Sequence, residues 1–191
     1  MILIRHGQSQ FNVVYGATGQ DPGIIDPSLT EEGVRQVEVA AEVLAERDIR
    51  HIRASPYART LQTAEIIAAR LDLNIEIEPL VRERSFFTCD IGTPRSELSE
   101  RWPHLRFDHL TEVWWTAAEE TESQMMKRCT AFHASLADFA EWQHLLVVSH
   151  WGFIKGLTGS ALKNAEMVTV DLASGQVRAG PGAGVVSLSD P

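Results

Sequence analysis

The chain has 191 residues, of which 44% are hydrophobic and 23% charged, a balance that fits a single soluble globular domain spanning 1–191 and excludes a disordered chain. Its formal net charge of -9 argues against non-specific binding to nucleic acid or a membrane surface, although an acidic protein can still hold a local basic pocket. Cys89 and Cys129 have no CxxC spacing and read as packing residues or idle thiols, and no apolar run reaches the roughly 18 residues of a membrane span.

Ile2-Leu3-Ile4 is a short, fully apolar run that predicts a buried strand of a parallel sheet. With that strand starting at Met1 there is no room for a signal peptide, so a cytoplasmic protein is expected. Gly16 to Pro27 is rich in Gly, Pro and Asp and predicts a loop. Thr30 before Glu31 and Glu32 marks a helix start, and Val34, Val37, Ala41 and Leu44 carry that helix to about Arg47. Ile49 to Ala54 predicts a second strand. Ser55-Pro56 then predicts the next helix, with Ser55 as its cap and Pro56 at its first position. Asn74 to Glu78 predicts a third strand, and the stretch from Glu83 to Thr121 is irregular apart from a short helix at Ser96–Trp102. Thr121-x-x-Gln124 is a capping-box pattern, from which an amphipathic helix should run through Phe139. Leu145 to Val148 predicts a strand ending in Ser149-His150, with a helix after it. Met167–Leu172 and Val185–Leu188 are expected as closing strands joined through a turn at Gly180–Gly184. Alternating strands and helices give an α/β layer structure with a largely parallel sheet.

Three segments follow predicted strands directly: Arg5-His6, Ser55 through Arg59, and Ser149-His150. The carboxyl ends of strands border the ligand crevice in open α/β sheets, so these segments should meet at one mouth. Arg presents a planar fork that matches phosphate oxygens and stays charged, and Arg59 would lie in the first turn of a helix, beside unpaired N–H groups. A neutral imidazole is a competent nucleophile towards phosphorus, and flanking positive charge stabilises the transferring oxygens. Gly7 would let the backbone pass close to a ligand. Glu83, between Arg82 and Arg84, is the candidate acid for the leaving oxygen. As a plain surface carboxylate it would instead pair with one of those arginines.

The run Leu3-Ile4-Arg5-His6-Gly7-Gln8-Ser9-Gln10-Phe11-Asn12 resembles the signature of the histidine phosphatase superfamily, also called phosphoglycerate-mutase-like. Ala54 through Ala64 is similar to that family's second basic motif, Leu80 through Arg84 to its acid segment, and Val147 through Gly152 to its second-histidine segment. The resemblance implies an α/β three-layer sandwich without metal or organic cofactor. It implies that His6 is phosphorylated, that Arg5, Arg59 and His150 hold phosphoryl oxygens, that Glu83 donates the proton, and that Asn12 and Ser9 line the pocket. The implied partner is a small phosphate ester. Two departures stand out: Gln8 where many phosphatase members carry Glu, and Trp151 where a small residue is common.

The leading expectation is therefore a phosphomonoester hydrolase acting through a phosphohistidine. A phosphoglycerate mutase would share every core residue, but mutase-type basic residues are missing after Glu83. A catalytically silent phosphate-binding protein is disfavoured because nucleophile, clamps and acid are all present. A metal-dependent hydrolase on His6, His150 and Glu83 is disfavoured because the adjacent arginines would repel a cation. Trp114 and Trp115 could stack on a substrate or pack in the core. Arg95 and Arg101 could read a second acidic group or simply be solvated, and His51, His104, His109, His133 and His144 show no partner pattern.

Overall fold

The computed structural model describes residues 1–172, 176–179 and 185–187. Strands β1 (Ile2–Arg5), β2 (His51–Ala54), β3 (Ile75–Ile77) and β4 (Leu145–Ser149) lie in the order β3-β2-β4-β1, with each neighbouring pair parallel. Beyond β1 the sheet continues antiparallel through β5 (Met167–Asp171), β6 (Gln176–Ala179) and β7 (Val185–Ser187). The expected parallel sheet is thus present, extended on one edge by an antiparallel meander. Of that edge, β6 has no counterpart in the sequence reading, and the expected turn at Gly180–Gly184 falls outside the described residues.

Side chains alternate across the sheet as the pleat requires. Ile4, Ile52, Leu146 and Val148 face helices α2 (Glu31–Ala45) and α3 (Ala58–Leu71), where Val37, Ala41, Leu44, Ala64 and Ile67 complete one core. Leu3, Leu145, Val147 and Val168 face α5 (Glu122–Ser135) and α6 (Trp151–Thr158), meeting Met125, Phe132, Phe153 and Ile154. Helices on both faces make the three-layer sandwich. A third cluster around Tyr57, Leu61, Leu98, Trp102, Phe107 and Trp114 gathers the irregular stretch, including α4 (Arg95–Arg101), against α3.

Several boundaries differ from expectation, each for a visible reason. The first is α1 (Gln10–Thr18), which opens behind Ser9 and closes at Gly19 in the left-handed region (φ 68°), so it takes up the start of the expected loop. Helix α3 begins at Ala58, not at Pro56, because its first N–H donates to Asp26 Oδ1 at 2.9 Å and Ser55 is used elsewhere. Helix α5 stops at Ser135, whose hydroxyl donates to the Phe132 carbonyl at 2.7 Å and competes for the helical bond. Leu136 and Phe139 still pack on the core from the turns that follow.

Candidate active site

Because β2, β4 and β1 are adjacent, their carboxyl ends open side by side. The exits are tied to one another: the His6 N–H donates to the Ser149 carbonyl at 3.0 Å and the Ser55 N–H to the Val148 carbonyl at 3.1 Å. A pocket of about 440 Å³ opens there, with Arg5, His6, Arg59 and Glu83 on its wall and Ser9 and Asn12 beside them.

His6 is buried, and its Nδ1 lies 2.7 Å from the Gly7 carbonyl. A carbonyl only accepts, so Nδ1 carries the proton and Nε2 keeps the lone pair. Nε2 makes no hydrogen bond among the described residues. Burial, then the positive fields of Arg59 and Arg5, hold the His6 pKa well below its ordinary value, so the ring is neutral near pH 7. Its backbone is fixed from the far side by the Asn164 side chain, which donates to the His6 carbonyl at 3.1 Å.

His150 is fully buried and presents its ring to His6 at 5.2 Å between centroids, in an edge arrangement. It stands behind the pocket wall and is not part of it. Its Nε2 meets Ser55 Oγ at 2.8 Å, while Nδ1 is buried without a partner. Burial, then Arg59, keep this ring neutral as well. The Ser55-Pro56 signal therefore marks the position of a histidine partner, where the sequence predicts a helix cap.

Arg59 is buried and spends part of its fork on the Cys89 carbonyl (2.8 Å) and Asp90 Oδ1 (3.2 Å). Burial opposes its charge, but the neighbouring acids, Asp90 and Asp26 among them, outweigh that and hold its pKa above the ordinary value. Arg5 donates to the Leu162 carbonyl at 3.0 Å, and its Nε is buried with no partner. Two orphan polar nitrogens, Arg5 Nε and His150 Nδ1, thus sit in the shell of His6.

The Glu83 carboxylate accepts from the Gly152 N–H at 3.1 Å and the Arg84 N–H at 2.9 Å, so it rests on the first turn of α6. Neither flanking arginine neutralises it, since Arg82 pairs with Glu120 and Arg84 with Glu119. Loss of water around the carboxylate, then the charge of Asp90, push its pKa above the usual carboxylate range despite the two N–H donors. The surface ion-pair alternative does not hold.

Ser9 and Asn12 both face the pocket, Asn12 Oδ1 accepting from Ser9 N, Ser9 Oγ and Asn164 Nδ2 at 3.0 to 3.1 Å. With its oxygen so engaged, Asn12 keeps its NH₂ donors free of partners among the described residues. Gly7 has a packing purpose that the sequence reading did not include. A Cβ there would come within 2.5 Å of the Gly33 carbonyl and 2.8 Å of Val37, so the packing of α2 demands the glycine. Gln8 is likewise turned to α2, accepting from the Thr30 hydroxyl at 2.8 Å.

A family model described as histidine phosphatase superfamily, branch 1, matches residues 1–175. The chain belongs to that superfamily. A probable phosphoglycerate mutase GpmB from Proteus mirabilis is 41% identical over 151 residues, covering 78% of this chain and 67% of that protein. Phosphoglycerate mutase-like protein 4 of Arabidopsis thaliana is 28% identical, covering 88% and 73%. Among solved structures, a mycobacterial glucosyl-3-phosphoglycerate phosphatase superimposes with a TM-score of 0.63 at 22% identity, covering 88% of each chain. A phosphoserine phosphatase variant from Entamoeba histolytica, in complex with phosphoserine, gives 0.60 at 20% identity, covering 87% of each.

In this member of the superfamily the site depends on residues that the sequence did not single out. Asp90, almost fully buried, pairs with Arg59 and also accepts the N–H groups of Phe86 and Phe87 at 3.1 and 3.0 Å, folding that loop over the pocket. Asp26 joins the start of α3 to Thr93. Arg128, on the inner face of α5, pairs with buried Glu120 and donates to the Leu80 and Arg82 carbonyls, bracing the backbone that leads to Glu83. An arginine amid Met125, Cys129 and Phe132 was the one legible sign of this. Trp114 is core, donating to the Thr93 carbonyl and packed on Tyr57, and neither it nor Trp115 borders the pocket. Arg95 and Arg101 are engaged with Glu112 and Glu97 outside it.

Proposed function

We propose that this superfamily member is a metal-independent phosphomonoester hydrolase that passes the phosphoryl group through His6. The observation that carries this is the His6 hydrogen bond to the Gly7 carbonyl, which leaves Nε2 unprotonated in a pocket flanked by Arg5 and Arg59.

Nε2 attacks phosphorus as the ester P–O bond breaks, and Glu83, whose raised pKa favours the acid form, gives its proton to the departing alkoxide. Arg5, Arg59 and the NH₂ of Asn12 hold the transferring oxygens. His150, its Nε2 bonded to Ser55 Oγ at 2.8 Å and its ring centroid 5.2 Å from that of His6, backs the nucleophile from behind the wall. In the second half-reaction the Glu83 carboxylate takes a proton from water, the water oxygen bonds to phosphorus, and the N–P bond breaks. Inorganic phosphate leaves, with His6 and protonated Glu83 restored.

Two arginines beside the histidine pair make the site hostile to a cation. Among the described residues, no three His, Cys, Asp or Glu side chains are placed to hold a metal ion. The mutase reading draws support from the names of the curated relatives. Hydrolysis is favoured because Arg84, the remaining basic group on the pocket wall, already donates to the Glu120 carbonyl at 2.7 Å and pairs with Glu119.

The test is a phosphate-ester panel assayed with wild type and His6→Ala side by side, with and without chelator. Phosphate release and acid-labile protein phosphate should both survive chelator and vanish in His6→Ala. Turnover that persists in the variant would refute the nucleophile. Conversion of 3-phosphoglycerate to its isomer in place of phosphate release would establish the mutase.

A further inference from the structure

Between the phosphoryl clamp and solvent, the pocket is walled by rings. Phe11 and Tyr15 of α1 stack at 5.2 Å, and Phe87 closes on both at 5.3 and 5.1 Å. Asp90 fixes that loop by accepting the Phe86 and Phe87 N–H groups, so the wall is held by the same carboxylate that pairs with Arg59. At the lip stand Phe86, 54% exposed, and Trp151, 41% exposed, on opposite elements.

The cations around this wall lie against its rings. Arg84 lies over the Phe86 ring at 5.5 Å while paired with Glu119, and Lys155 covers one face of Trp151 at 4.6 Å. Among the described residues that line the outer pocket, Arg84 is the cation, and its pairing with Glu119 leaves it little to offer a second carboxylate on the ligand. Large apolar groups left in water beside a preformed pocket mark the place where a ligand covers them.

From this we infer that the ester's alcohol part is a flat, uncharged, apolar group, such as an arylmethyl moiety, seated against the Phe86–Phe87 ring pair and facing Trp151. The inference rests on the phosphoryl-binding reading of the clamp, and the two separate in the measurements below.

Binding is measured by calorimetry with non-hydrolysable 2-naphthylmethylphosphonate, methylphosphonate and 2-carboxyethylphosphonate. Turnover is followed with 2-naphthylmethyl phosphate and glycerol 3-phosphate, whose alkoxide leaving groups are similar in basicity. The aryl ligand should bind at least about 10-fold tighter than either small phosphonate, as ring burial dictates. Phe86→Ala and Trp151→Ala should each erase most of that preference in Kd and in KM, Phe86→Tyr should restore it, and the Tm of each should stay near wild type. Equal or tighter binding of the carboxylated phosphonate, or an aryl preference untouched in both lip variants, overturns the inference. Tight aryl binding without hydrolysis of any ester would instead overturn the hydrolase reading and leave the ligand class standing.

Discussion

A histidine can attack phosphorus only while one ring nitrogen holds a lone pair, and in His6 a single bond to the next residue's carbonyl secures this. In the proposed mechanism its partner acid has the opposite need, to hold a proton, and the loss of water around the Glu83 carboxylate shifts its pKa in that direction. Glu83→Gln should lower kcat by about 10²- to 10⁴-fold for esters with poor leaving groups and far less for p-nitrophenyl phosphate. Equal slowing across leaving groups would remove Glu83 as the proton donor. The same shift sets a pH dependence: since the protonated form is needed for the first step, the alkaline limb of kcat/KM should lie above the usual carboxylate range. His6 contributes to stability with the other sign. Its folded pKa is depressed, so the unfolded chain binds more protons at low pH, and the contribution present above 6.5 is lost as pH falls. Melting curves from pH 7 to 5 should therefore show a smaller loss in His6→Gln than in wild type. A steeper loss in the variant would mean the folded ring is not held neutral.

At the scale of elements, loops and helix starts place the chemistry on the strands' behalf. Glu83 sits on the first turn of α6 because residue 152 lacks a side chain: a Cβ there would stand 2.4 Å from Glu83 Oε1. Gly152→Ala should thus mimic much of the Glu83→Gln phenotype, with kcat down about 10-fold or more and secondary structure unchanged. A fully active Gly152→Ala enzyme would show that the carboxylate is placed by something else. The Asp90–Arg59 pair is the other device. Because both groups are buried, Asp90→Ala strands a cation and should cost roughly 3–5 kcal/mol of stability in a denaturant titration, besides freeing the 86–87 loop. A cost within the scatter of the measurement would mean that water reaches Arg59. These contacts also explain what the sequence could and could not convey. Apolar runs and caps announced β1, β2, β4 and α2, since those signals are local. The true start of α3 depended on Asp26, far back in a Gly- and Pro-rich stretch, and no local pattern encodes such a partner. His6, Arg5, Arg59 and His150 were legible because each lies at or soon after the end of a strand. Asp90, Asn164 and Ser55's bond to His150 were not, because their roles exist only after distant segments meet.

Across the whole molecule, the acidic surface and the basic pocket coexist because the charges that matter are buried and ring-fenced by matched partners, Arg59 with Asp90 and Arg128 with Glu120. The irregular third of the chain, unreadable by periodicity, turns out to have its own apolar cluster, in which Trp102, Phe107 and Trp114 close over α3. Among the described residues no helix is long and apolar enough to cross a membrane. The sheet order has a kinetic corollary. β1 pairs with segments far along the chain, with β4, Ile2 opposite Leu146, and with β5, Ile2 opposite Thr169. On the proposed mechanism His6 therefore stays an ordinary side chain until strands from much later in the chain have slotted in on both sides of β1. Closing such long loops is slow. Recovery of activity after dilution from denaturant should follow the slowest refolding phase, well behind the return of helical signal.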